Sequence, residues 1–303
     1  MSTRLKGIFV PVVTPVDAQG HLDFHALEQL IERLIRHGVH GVLLMGTTGE
    51  GLSLSLRQRV ALMEKGVQSV RGRVPVLASI AHTGFQDVLY LAEQAREQGI
   101  EGCLVHVPPH YPLEARDVEH YFLRLADASP LPLLLYHIPP VARTSIPVEV
   151  VERLSHHPRI IGIKDSEPDT ERQINEIRHF REREDFVHFV GSARLLRWAL
   201  EQGSRGGILA VANLVPSLCV ELYRAVCEQH DPTRAHTLQE HMDRVSALYA
   251  GGRTPAQAIA TLKALLHLEG LCSPEVLPPL LPLSREEQER LRGAWSELSM
   301  RSP

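Results

Sequence analysis

Residues 131–166 read LPLLLYHIPPVARTSIPVEVVERLSHHPRIIGIKDS. Two apolar runs, 131–139 (LPLLLYHIP) and 160–166 (IIGIKDS), flank a more polar segment. Neither run alternates between apolar and polar residues. Strands buried on both faces have this continuous character, as in a parallel sheet covered by helices. Six further runs of the same kind lie outside this stretch, at 7–16 (GIFVPVVTPV), 41–46 (GVLLMG), 74–80 (VPVLASI), 102–108 (GCLVHVP), 186–192 (FVHFVGS) and 206–211 (GGILAV).

The segments between runs carry helical spacing. Phe24, Leu27, Leu30, Ile31, Leu34 and Ile35 form one stripe; Leu56, Val60, Met63, Val67 and Val70 form a second; Val88, Leu91, Ala92 and Ala95 form a third. Ser55 and Gln58 have the spacing of a capping box. Gly38, Gly99 and Gly203 are each placed to end a helix in a left-handed turn, and Gly41, Gly102 and Gly206 then open the next strand. Eight βα units in a row predict an α/β protein of TIM (β/α)8 barrel type rather than an open doubly wound sheet. A barrel needs roughly 250 residues, and the chain has 303. Helical patterns near 215–229, 232–250, 255–269 and 285–299 follow without strands. The expected organisation is a barrel over 1–214 and a C-terminal helical extension, 215–303, packed on it.

Composition narrows the function classes. The chain is 44% hydrophobic and 22% charged with a net charge of -4, so it carries no basic footprint for nucleic acid. No apolar run reaches the ~18 residues of a membrane span. The N-terminal MSTRLKGIFVPVVTP is too short and too proline-punctuated for a signal peptide. Cys103, Cys219, Cys227 and Cys272 form no C-x-x-C pair and read as reduced thiols. A cytoplasmic protein is expected.

Barrel chemistry sits at the C-terminal ends of the strands. The sixth run ends in Lys164, directly after an apolar interior, where desolvation disfavours the charged amine and a neutral amine can attack a keto carbon to give an imine. A lysine there can instead snorkel to water or pair with Asp165. The fifth run ends in Tyr136, and adjacent strands place that phenol near Lys164 as a proton shuttle. The second run ends in Gly46-Thr47-Thr48-Gly49-Glu50, whose hydroxyls and backbone N–H groups suit a carboxylate. Strand one ends without the His-x-His of a metal-dependent hydrolase, and His106 and His110 span two prolines, so no metal site is expected.

GTTGE at 46–50, YHIP at 136–139 and GIKDS at 162–166 together resemble the motifs of the dihydrodipicolinate synthase/N-acetylneuraminate lyase family, over nearly the whole chain. The resemblance implies Lys164 as the Schiff-base lysine and Tyr136 as the proton-shuttling tyrosine. It implies Thr47, Thr48 and Gly49 as the keto-acid carboxylate site, with Thr47 also relaying protons, and Ile208 as a residue whose backbone lines the lysine pocket. It further implies no metal or organic cofactor, a small 2-keto acid as substrate, and a homotetramer built as a dimer of dimers. Two departures stand out. His110 takes the place of the tyrosine that, in the synthases, a neighbouring subunit lends to the proton relay, with Tyr111 beside it. Val141 takes the place of an arginine that binds the carboxylate of the aldehyde substrate, and Arg143 lies two residues beyond. Losing such a clamp weakens that substrate strongly. The expected activity is therefore a pyruvate-type lyase or aldolase acting on a 2-keto-3-deoxy sugar acid or 4-hydroxy-2-oxoglutarate. Dihydrodipicolinate synthesis and non-catalytic sensing of a keto acid are the alternatives.

Overall fold

A computed structural model describes residues 5–300, and side chains through 298. The chain alternates strand and helix from its start: β1 (Gly7–Pro11), α1 (Phe24–Arg36), β2 (Gly41–Leu44), α2 (Leu56–Val70), β3 (Val76–Ser79), α3 (Phe85–Glu97) and β4 (Gly102–Val105). It continues with α4 (Ala115–Ala128), β5 (Leu133–His137), a single turn α5 (Pro139–Ala142), α6 (Val148–Leu154), β6 (Ile160–Asp165), α7 (Thr170–Phe180), β7 (Val187–Val190), α8 (Leu196–Gln202) and β8 (Gly206–Ile208). Each strand falls inside the apolar run that predicts it. The strands pair in parallel in chain order, and β8 returns to β1 through Gly7–Gly206, Ile8–Gly207 and Phe9–Ile208. The fold is a closed (β/α)8 barrel.

Both faces of each strand are buried, in two separate layers. Phe9, Leu43, Leu77, Leu104, Leu134 and Ile208 fill the barrel interior, while Ile8, Val10, Val42 and Leu44 point outward beneath the helices. This double burial explains why the sequence runs are continuous rather than alternating. Closure depends on Gly206, because a Cβ there would lie 2.0 Å from the Gly7 carbonyl oxygen. Local signals hold the helices in place. Ser55 and Gln58 form the capping box of α2, and Gly38, Gly99 and Gly203 adopt positive φ at the ends of α1, α3 and α8.

A register irregularity between β5 and β6 sets up the site. Leu133 pairs with Ile160, but Leu134 pairs with Gly162, so Ile161 is one residue in excess. Ile161 belongs to the inner layer and Ile163 to the outer one, although strict alternation would put both on one side. The shift re-phases the rest of β6, so Tyr136 lies opposite Lys164 and both face the interior. Gly162 is what lets β6 sit there, since a Cβ would meet Val187 at 2.5 Å.

Four helices follow the barrel strands: α9 (Pro216–Cys227), α10 (Pro232–Ala250), α11 (Pro255–Leu268) and α12 (Arg285–Met300). The first packs on β1 and α8, α10 on α9 and α8, α11 on α10, and α12 on both α10 and α11. No described helix is long and apolar enough to cross a membrane.

Candidate active site

Lys164 is buried, 5% exposed, inside the C-terminal end of the barrel. Its Nζ donates to the Tyr136 Oη at 3.1 Å and lies 4.2 Å from the centre of that ring. The lysine therefore neither snorkels to water nor pairs with Asp165. That carboxylate points to the other side of β6, where Arg172 Nε donates to its Oδ2 at 2.7 Å. Tyr136 Oη also lies 3.5 Å from Thr47 Oγ1. Burial acts to raise the Tyr136 phenol; the Lys164 charge, with hydrogen bonds from Thr47, Lys164 and Ser166, outweighs it and holds the phenol below its ordinary value. A phenol so placed can receive and return protons beside a reacting amine.

These groups open into a cavity of about 350 Å³ lined by Thr47, Thr48, Tyr136, Lys164, Ser166 and Ile208. Its far wall comes from the end of α10, the turn after it and α11: Tyr249, Arg253, Ala258, Ile259 and Leu262. Arg253 Nη1 donates to the carbonyls of Leu248 (3.0 Å) and Gly251 (3.4 Å), which anchors the guanidinium at the mouth. Gly49 does not line the cavity. It lies beneath the turn, and its carbonyl accepts from Thr14 Oγ1 at 2.6 Å. His110 and Tyr111 are exposed, meet edge-on with ring centres 4.3 Å apart, and line neither this cavity nor the chamber beside it. Val141 faces the chamber, and Arg143 is exposed in a left-handed conformation just after α5.

The Gly46–Glu50 turn is held from below by an ion pair. Lys263 of α11 donates to Glu50 Oε1 (2.8 Å) and to the Thr14 carbonyl (2.9 Å), while Leu277 N donates to Glu50 Oε2 (2.6 Å). Both charged side chains are fully buried. Met45 and Glu50, which flank the turn, have φ of 56° and 54°. Such conformations cost non-glycine residues about 1–3 kcal/mol and persist where the surroundings over-determine them.

A second, smaller chamber of about 190 Å³ adjoins the first and shares Thr47, Pro255 and Ile259 with it; Ser79 and His106 also line it. The sequence marks His106 only as a poor metal ligand, and Lys263, Arg253 and Tyr249 carry no motif. Tyr249, Arg253 and Lys263 meet the Thr47–Glu50 turn across about two hundred positions of chain, and His106 across about sixty, which no local pattern records.

The profile of the dihydrodipicolinate synthetase family matches residues 4–298. A 4-hydroxy-tetrahydrodipicolinate synthase of Gluconacetobacter diazotrophicus is 30% identical over 97% of this chain and 97% of its own length. A probable 2-dehydro-3-deoxy-D-pentonate aldolase of Escherichia coli, YjhH, is 31% identical over 95% of each chain. Among solved structures, the prophage protein YagE of E. coli in complex with pyruvate superposes with a TM-score of 0.91 at 28% identity, covering 97% of this chain and 99% of that one.

Proposed function

This chain belongs to the dihydrodipicolinate synthetase family, and we propose that it is a class I lyase or aldolase that forms a Schiff base between Lys164 and a pyruvate-type 2-keto acid. The observation that carries this reading is the buried Lys164 amine hydrogen-bonded to Tyr136 inside a cavity large enough for a small acid. Thr47 and Thr48 meet the keto-acid carboxylate, which brings C2 to the amine. Lys164 attacks C2, Tyr136 and Thr47 move protons as the carbinolamine loses water, and the imine stabilises an enamine at C3. The enamine is made when an aldol bond breaks, or it attacks an aldehyde.

We read the second half of the substrate as the tail of a 2-keto-3-deoxy sugar acid or of 4-hydroxy-2-oxoglutarate. Val141 offers no carboxylate clamp, Arg143 is exposed and lines neither cavity, and Arg253 is the cation set at the cavity mouth. The probable pentonate aldolase among the relatives supports this choice. The synthases among them keep condensation with aspartate semialdehyde as the competing reading. The same reading carries a cytoplasmic homotetramer, in which His110 and Tyr111 act at a subunit boundary.

Borohydride reduction in the presence of pyruvate tests the chemistry. The expected result is a reduced pyruvate adduct on Lys164, with Lys164→Ala folded, unlabelled and without turnover. Full activity in that variant would end the proposal, and reversible binding without an adduct would mark a sensor. Pyruvate release from 2-keto-3-deoxy sugar acids, 4-hydroxy-2-oxoglutarate and sialic acid, beside condensation with aspartate semialdehyde, then separates the substrates.

A further inference from the structure

We propose that His106 is the proton store of this site, exchanging protons with Tyr136 through Thr47 and water inside one chain. The inference rests on the imine reading above. It starts from a gap in the relay. Tyr136 reaches Thr47, but within the same chain the loop residues His110 and Tyr111 are exposed and line neither cavity. Thr47 stands in the wall between the two spaces, and the smaller one holds His106.

His106 is held in place by its surroundings. It follows directly after β4 and is 4% exposed, with its ring edge-on to Tyr136 and centres 6.1 Å apart. Its Nδ1 lies 2.8 Å from the Val107 carbonyl. A carbonyl only accepts, so Nδ1 carries the hydrogen and Nε2 is the basic nitrogen. The chamber, about 190 Å³ with Thr47, Ser79, Glu50 and His106 on its walls, has polar partners and ample room for bridging water. Three titratable groups face the histidine: Tyr136 from β5, Arg59 from α2, and Glu50 across the chamber. Arg59 is spent on the Ala81 and Ser79 carbonyls (2.8 and 2.6 Å), and Glu50 on Lys263. Burial, with a smaller contribution from Arg59, lowers the imidazole from its ordinary value against the Val107 hydrogen bond, so the ring is neutral and able to accept.

The proton balance closes. The Lys164 ammonium passes one proton to the phenol oxygen as the phenol proton moves to Thr47. The Thr47 proton moves to water, and water protonates His106 Nε2. The neutral amine then bonds to C2, and its excess proton shifts to the new alkoxide. When the C2–O bond breaks, the proton held on His106 returns along the same chain to the departing hydroxyl, which leaves as water. The nitrogen retains one hydrogen as the protonated imine. The three hydrogens of the ammonium are thus accounted for, and His106 ends neutral.

His106→Ala and His106→Asn test this without removing any group that touches substrate. Trapping of pyruvate on Lys164 is expected to slow by roughly two to four decades in both, while the final extent of adduct equals that of the native protein, because a relay changes rate and not equilibrium. Added imidazole is expected to restore His106→Ala, which leaves space for it beside the chamber. The native kcat/KM profile is expected to fall on the acid side below the ordinary histidine range, and that limb disappears in His106→Asn. Native trapping rates in both variants would overturn the proposal. So would a slow His106→Ala that imidazole does not restore with the acid limb unchanged in His106→Asn, since that is the mark of a structural role. Absence of any adduct on native Lys164 would instead remove the imine reading itself.

Discussion

The proposed imine chemistry asks two things of Tyr136, and its surroundings reconcile them. It must be buried beside an amine, which favours the neutral phenol, and it must give up its proton readily, which the Lys164 charge and three hydrogen bonds favour. Replacing it by Phe keeps the ring in the interior and removes only the hydroxyl. Steady-state kinetics should show turnover slower by roughly two to four decades, with borohydride trapping slowed in parallel. The buried Lys263–Glu50 pair has a different job, because neither group touches the cavity that holds Lys164. Lys263→Met leaves a carboxylate buried without its cation, which costs about 3–5 kcal/mol. Urea unfolding should register that loss, and KM for the keto acid should rise as the Thr47–Thr48 turn loosens.

At the level of elements, the outer side of β5 and β6 carries a polar network that the inner side does not share. His137 Nδ1 accepts from Ile146 N (3.2 Å), so its Nε2–H donates to Glu167 Oε2 (2.7 Å), and Arg172 joins Asp165 to Glu176 at 2.7 and 2.6 Å. Both carboxylates of that last trio are fully buried. Burial and the neighbouring Glu176 push the Asp165 carboxyl up from 3.8 to about 6, against the pull of His137 and Arg172. Its folded value lies above its unfolded one, so this group favours the fold fully below pH 3.8 and loses that contribution as pH rises through about 6. Native protein should therefore gain stability relative to Asp165→Asn as pH falls from 7 to 4, read from urea midpoints of both proteins. An unchanged difference would show that the carboxyl titrates normally. Lys164 and Tyr136 were legible in the sequence because each closes an apolar strand. Their facing was not, because the parity of β6 is set by the excess Ile161, and side-chain direction in a strand follows from pairing rather than from composition.

Across the whole molecule, the eight strands were legible because double burial writes an unbroken apolar run at each one. The four helices after β8 were legible from periodicity, yet their part in the site was not. Tyr249, Arg253, Ile259 and Lys263 come to the barrel mouth through packing of α10 and α11, which leaves no spacing to read. We propose 1–214 as the barrel and 215–303 as an extension that the barrel cannot dispense with. Expressed alone, 1–214 lacks α9 against β1 and one wall of the cavity, and it should show no cooperative thermal transition and no pyruvate adduct; a sharp transition would show the extension to be dispensable. The surplus isoleucine in β6 has an implication for how such proteins change trade. Insert one further apolar residue between it and Lys164, and hydrophobic content, strand count and helical cover all survive. The Lys164 nitrogen, however, would swing from the hollow to the crevice beneath the surrounding helices. A working enzyme and an inert look-alike would then differ by whether a stretch of chain counts odd or even, a distinction that overall likeness between two sequences does not register.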